Sequence, residues 1–269
     1  MIKSLKSLNN VKEHIILDWS SDEEVKLNVE NTKVLRIENE PYYWASRAYN
    51  FLINIVTSNY ILKLDTDTLF NSEKFNKINY KDYDLIVFYK NKNDPGNFLI
   101  RKKIAVQING FNEYIFGWGW EDHDFINRAL TRIPKQRVLK IYDFIEKIDH
   151  PDSMRTKVKN SIVNSKNLHY AARKAHNQAN SYISSLDLWN SSKERTYNYV
   201  DSKILHFYSF ADTSISKRNK YKYIYLKTFF SILYPTKKVR HLFPILLFIF
   251  HHKIINQIFG VTIFPKKIK

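Results

Sequence analysis

The chain has no cysteine, and only five glycines, seven prolines and two methionines among its 269 residues. Without cysteine there is no disulfide framework, no thiolate-ligated zinc and no cysteine nucleophile, and the composition fits a reducing compartment. No run of about 18 apolar residues occurs, so a membrane-spanning helix is not expected. The longest apolar stretch, Leu242–Phe250, has nine residues. Met1–Asn10 is polar and lacks the apolar segment of a secretory signal. Acidic residues are missing from one region altogether. Ile215–Lys269 holds ten Lys, two Arg and no Asp or Glu, which is +12 of the net charge of +17. The first 214 residues carry only the remaining +5.

What is present points to a packed domain. A 44% hydrophobic and 15% aromatic content argues against intrinsic disorder. The length suits one domain with an appendage, or two small ones. In the first half, strand-like and helix-like segments alternate. His14–Asp18, Val34–Ile37, Tyr60–Leu64, Leu85–Tyr89 and Asn97–Arg101 read as strands. Pro41–Ser58 reads as a helix, with Trp44, Ala48, Phe51, Leu52 and Ile55 at helical spacing. Glu121–Leu130 reads as a second helix that opens on acids, where the helix dipole favours them. This alternation predicts an α/β fold with a mixed, mostly parallel sheet flanked by helices.

From Ser153 to Asp212 the composition turns to Ser, Asn and Lys with helical spacing, and a small helical subdomain is expected there. Beyond it, Tyr221–Tyr234 and Leu242–Phe259 are rich in Phe, Ile, Leu and Tyr. Interruption by His251, His252, Lys253, Asn256 and Gln257 suits a helix lying in a membrane interface, its bases meeting anionic headgroups. The alternative is a helix packed on the main domain with solvated bases. No nucleic-acid-binding motif accompanies the charge, so no nucleic-acid partner is expected.

The chemistry concentrates in two places. Asp65-Thr66-Asp67 follows the strand Y-I-L-K-L directly. Two carboxylates at i and i+2 beyond a strand end sit where α/β sheets place ligands. Hard oxygen donors of this kind suit Mg²⁺ or Mn²⁺. Farther along come Asn109-Gly110-Phe111-Asn112-Glu113 and Gly117-Trp118-Gly119-Trp120-Glu121-Asp122-His123-Asp124. Glycine permits close approach of the backbone. Tryptophan offers a flat apolar face to a sugar ring.

In this order D-T-D, N-G-F-N-E and G-W-G-W-E-D resemble the GT-A glycosyltransferases. More narrowly they resemble those with a galactosyltransferase-type C-terminal motif, as in β-1,4-galactosyltransferases and bacterial chondroitin-polymerase-like enzymes. The resemblance covers roughly His14–Arg155. It implies a Rossmann-like GT-A fold and places Asp18 on the uracil, Arg47 on the nucleotide diphosphate and Asp65 near the ribose. It makes Asp67 and His150 ligands of Mn²⁺ (or Mg²⁺), and Trp118 the tryptophan of a lid that closes on the donor. It assigns Asp122 as the catalytic base, with Trp120, Glu121 and His123 lining the acceptor pocket. His123 departs from the pattern, where another acid is common. Only about a dozen residues precede H-I-I-L-D, so the strand that opens such folds is expected to be missing.

The resemblance thus implies an inverting transfer from a UDP-sugar, of galactose or N-acetylhexosamine type, to a glycan or glycolipid acceptor. The setting would be synthesis of surface polysaccharide or lipopolysaccharide. The organisation expected is a nucleotide-sugar-binding and catalytic domain over 1–155, a small helical acceptor-side subdomain over 156–214 and a basic amphipathic tail over 215–269. That tail would hold the protein at the inner, cytoplasmic face of the cell membrane. Two other readings remain open: a metal-dependent nucleotidyltransferase or phosphohydrolase, which also uses D-x-D, and a degenerate transferase fold that binds as a membrane scaffold.

Overall fold

The computed structural model describes most of residues 5–149, apart from 6, 39–42, 91–94 and 116–118. Beyond these it describes Asn177, Asn180, Ser181, Ser184, Trp189 and the pairs and triplets named below. The expected tail over 215–269 and most of the expected subdomain over 156–214 lie outside the described residues.

The first layer is built by strands β1 (His14–Trp19) and β2 (Thr32–Glu38). They run parallel, with Ile16 opposite Val34. β2 alternates, burying Leu35 and Ile37 while Lys33 stays exposed, as a half-buried strand should. Helix α1 (Ala45–Ile55) covers this pair. Its Ala48 and Phe51 pack on Trp19, Leu35 and Ile37, and its Ile53 turns the other way into the main core.

The second sheet has the order β3–β6–β5–β7, from Tyr60–Lys63, Asn97–Arg101, Leu85–Tyr89 and Val138–Tyr142. Every residue of Leu85–Tyr89 is buried, because both faces are covered. On one face Leu85, Val87, Phe98 and Ile100 meet helices α3 (Lys102–Gln107) and α4 (Glu121–Leu130). On the other, Ile86, Phe88 and Leu99 meet Phe70, Phe75 and Ile145. These last three come from β4 (Thr68–Phe70), helix α2 (Ser72–Asn76) and β8 (Ile145–Lys147).

The α/β character and the flanking helices agree with the sequence, but the mostly parallel sheet does not. β3–β6, β5–β6 and β4–β8 are antiparallel, while β1–β2 and β5–β7 are parallel. Only seven residues join β5 to β6, too few for a parallel crossover, which takes about a dozen or more. The stretch read as a small helical subdomain also contributes β9 (Asn198–Tyr199) and β10 (Ile204–His206). β10 lies parallel to β2 and β9 antiparallel to β10. Among the described residues no helix is long and apolar enough to cross a membrane.

Candidate active site

A cleft of about 2610 Å³ opens between the ends of β1 and β3, the cleft side of α1 and the start of α4. Asp18, Lys63, Asp65, Asp67, Glu121 and Asp122 all line it. The sheet fixes the acids at one end. The Asp65 N–H donates to Asn97 Oδ1 at 2.8 Å, and Thr68 N–H closes a turn on the Asp65 carbonyl at 3.0 Å. The Ile148 N–H then donates to the Asp67 carbonyl at 2.7 Å, continuing the β4–β8 ladder. That bond brings Asp149, which also lines the cleft, up to the D-T-D turn.

The opposite wall is the first turn of α4. Trp120 caps it with φ of 75°, a left-handed conformation that costs a non-glycine residue about 1–2 kcal/mol. Gly119 before it, at φ of 90°, has a Cβ position only 2.8 Å from Asn177 Oδ1. Asn180 Nδ2 donates to the Gly119 carbonyl at 2.7 Å. This backbone path turns Glu121 and Asp122 toward the cleft. Asp124, farther round the helix, is buried against Arg128 at 2.6 Å. The Trp120 and His123 rings stack 4.8 Å apart and both line the cleft. Trp118 lies outside the described residues.

Sequence reasoning missed the group that joins the two walls. Lys63, buried at the end of β3, places its ammonium 2.9 Å from Asp65 Oδ1, 2.9 Å from Asp122 Oδ1 and 2.6 Å from the Gly96 carbonyl. Lys147 adds a contact of 2.9 Å to Asp65 Oδ2. Burial by itself would raise the Asp65 carboxyl, but Lys63 and Lys147 override it and hold it at about 2. Asp122 goes the other way: burial pushes it up to about 8, Lys63 opposes this, and Glu121 and Asp65 add to it. Burial raises Glu121 as well. Three carboxylates against two ammonium groups leave one negative charge over, which burial disfavours, so both acids of the α4 turn are raised.

Two residues named from the resemblance have partners that the sequence did not indicate. The Asp18 side chain is fully buried. It accepts from Ser21 N at 3.2 Å, Val25 N at 3.1 Å and Arg36 Nη1 at 2.5 Å. Asp18 thus shapes the loop after β1 at the cleft edge. Arg47 is not among the described cleft-lining residues. Its guanidinium stands 3.9 Å over the Trp44 ring and 3.7 Å from Glu113. The reason is helical phase: Ala48, Tyr49 and Leu52 turn toward the cleft, while Arg47 and Asn50 turn toward the N-G-F-N-E loop. That loop is a structural clasp. Asn50 bonds the backbone of Phe111 in both directions and the Glu113 carboxylate at 2.8 Å.

A divalent cation finds a partial donor set. Asp67 is half-buried on the cleft wall, and Asp65 is claimed by its two lysines. His150 lies outside the described residues, two positions beyond the Ile148 that bonds to Asp67. Among the described residues no three His, Asp or Glu side chains form a metal cluster. A carboxylate and an imidazole suit Mn²⁺ in kind.

Residues 77–151 match the family model described as the N-terminal domain of galactosyltransferase. No curated protein matches the chain. Among solved structures, a mutant Drosophila β-1,4-galactosyltransferase 7 complexed with manganese, UDP-Gal and xylobiose is similar at a TM-score of 0.46. Identity is 16%, over 77% of this chain and 84% of that one. The catalytic domain of the same Drosophila enzyme with xylobiose gives a TM-score of 0.44 and 16% identity, over 65% of this chain and 78% of that one. The matched segment contains both the N-G-F-N-E and the G-W-G-W-E-D motifs, and over it the chain is galactosyltransferase-like. The resemblance to galactosyltransferase-type glycosyltransferases is borne out there; the D-T-D turn precedes it.

Proposed function

We propose that the chain is a metal-dependent inverting glycosyltransferase that moves a hexose or N-acetylhexosamine from a UDP-sugar to a glycan or glycolipid acceptor. One observation carries the reading: Asp122, in the galactosyltransferase-like segment, faces the D-T-D carboxylates across one cleft through Lys63. Asp65 and Lys147 form the donor side. Asp122 forms the acceptor side, beside the Trp120–His123 stack that offers an aromatic face to a sugar. Asp122, once deprotonated, accepts the proton of an acceptor hydroxyl as its oxygen attacks the anomeric carbon from the face opposite UDP. Trp120 helps keep water off the donor. A divalent cation held by Asp67 and His150 would supply charge neutralisation to the UDP leaving group. The basic residues of 215–269 suit attachment to an anionic membrane surface, where a lipid-linked acceptor is held, at its cytoplasmic face.

The test is UDP release from a panel of UDP-sugars with Mn²⁺, with and without candidate glycan acceptors. Acceptor-dependent release is expected. A positioned base contributes about 10²–10⁴-fold, so Asp122→Asn should lose at least about a hundredfold while UDP still raises the melting temperature. Equal turnover by wild type and Asp122→Asn would remove the mechanism.

A further inference from the structure

We propose that Lys63 is a positioning residue: its ammonium holds the donor-side acid Asp65 and the base Asp122 in one fixed relationship, with its positive charge against the Asp122 carboxyl. The role in transfer rests on the function proposed above; the hold on Asp122 rests on the structure alone.

Lys63 is the one buried residue of its strand, and burying an ammonium is costly unless it is paired. Its pairing is complete. An ammonium has three N–H donors, and Asp65 Oδ1, Asp122 Oδ1 and the Gly96 carbonyl take three, at 2.9, 2.9 and 2.6 Å. The face of the Tyr49 ring lies 4.7 Å from the same nitrogen. No donor is left over for a substrate, and the charged nitrogen, kept ionised by Asp122 and Asp65 against its own burial, is no nucleophile. What it does is join the end of β3, the turn at Asp65, the backbone at Gly96 and the first turn of α4. These are the parts that separate the donor side of the cleft from the acceptor side.

The groups facing Asp122 are Lys63 and Asp65 from β3 and its turn, Glu121 on its own helix and Tyr49 on α1. Lys147 on β8 reaches the cluster through Asp65, and Tyr43 faces Glu121. Lys63 is the one cation in contact with Asp122 among the described residues. Without it, Asp65 and Glu121 act on Asp122 unopposed, and Asp122 keeps its proton to higher pH. A unit charge at such range moves a pKa by about 1–3 units.

The experiment is a ¹³C-carboxyl titration of the full chain, with the Asp122 signal identified by its loss in Asp122→Asn. It is run on wild type, Lys63→Met, Lys63→Gln and Lys63→Arg. Lys63→Gln retains an N–H for the Gly96 carbonyl, so it carries the test if Lys63→Met does not fold. The Asp122 midpoint should rise by at least about one unit in both neutral variants and return toward wild type in Lys63→Arg. The pH limb of UDP release should move in the same direction. An unmoved midpoint in the neutral variants overturns the inference, whatever the turnover. A moved midpoint, in a wild type that releases UDP from no UDP-sugar, supports the hold of Lys63 on Asp122 and overturns the transferase reading instead.

Discussion

Asn50 occupies the space that a side chain at Gly110 would need: a Cβ built there falls onto Asn50 Oδ1. The same amide bonds the Phe111 N–H at 2.7 Å and the Phe111 carbonyl at 2.9 Å. α1 is thereby fastened to the loop that leads into α4, and Phe111 stacks on Phe125 of that helix at 4.2 Å. Gly110→Ala should be strongly destabilising. Its φ of 68° costs a substituted residue about 1–2 kcal/mol, and the crowding of Asn50 costs about 1–3 more. At roughly 2–4 °C per kcal/mol for a chain of this size, a thermal melt should fall by several degrees or more. A drop under about 2 °C would show that the clasp gives way easily.

The proton on Asp122 predicts the direction of a pH effect on stability. In the folded chain Asp122 holds its proton to about pH 8, against an ordinary value of 3.8. Between those values the folded state binds more protons than the unfolded one, so stability declines as pH rises. The contribution is full below the lower value and lost through the upper one. Asp65, held at about 2, acts in the opposite sense and only in strong acid. From pH 5 to pH 8.5 the wild-type melting temperature should therefore fall more steeply than that of Asp122→Asn. Parallel curves would place the proton elsewhere.

Deleting a metal ligand should be read through UDP. Free UDP at about 100 times its Kd adds about 2.7 kcal/mol to the stability of a chain that binds it. With Mn²⁺ present, wild type should show that shift, and EDTA should remove it. Asp67→Ala and His150→Ala should each lack it while melting near wild type without ligand. A full UDP shift in both variants would take the cation away from this pair.

Some of this was legible in one dimension and some was not. Glu121–Leu130 announced itself by its acids at the dipole's positive end, and the continuous apolar runs Leu85–Tyr89 and Asn97–Arg101 by their length. Strand direction was not legible, because it depends on the connection between strands. Lys63 was one residue within the strand Y-I-L-K-L and drew no reading of its own, and its partner Asp122 is 59 positions away. The N-G-F-N-E motif read as one of the motifs that carry the resemblance, and its partner Asn50 is 61 positions from Phe111. Periodicity placed Arg47 on a helix, but which face meets the cleft is decided by packing. The three-residue strands β4 and β8 are too short to leave a period.

Arg47 and Lys147 give the sharpest comparison, because the resemblance names Arg47 for the donor's diphosphate and Lys147 is a second cation, one that lines the cleft. The resemblance assigns the diphosphate to Arg47. In the structure its guanidinium lies against Trp44 and the buried Glu113 carboxylate, whereas Lys147 lines the cleft beside Asp65. Arg47→Met keeps an apolar stem on Trp44 but takes the guanidinium away from the Glu113 carboxylate. Removing one partner of a buried pair costs about 3–5 kcal/mol, and at 3.7 Å the lower end applies. Its melting temperature should fall, and its affinity for UDP per folded molecule should hold. Lys147→Met has the converse signature. Asp65 retains Lys63, so the fold loses little. A charge-assisted contact from Lys147 to the proposed donor's phosphate would be worth about 1.5–3 kcal/mol, so its loss should weaken Kd roughly ten- to hundredfold. Calorimetric titration of UDP with Mn²⁺, run on preparations whose folded fraction is fixed by a melt, separates the two. Weak UDP binding by Arg47→Met, with normal binding by Lys147→Met, would return the diphosphate to the helix and require α1 to turn on donor binding.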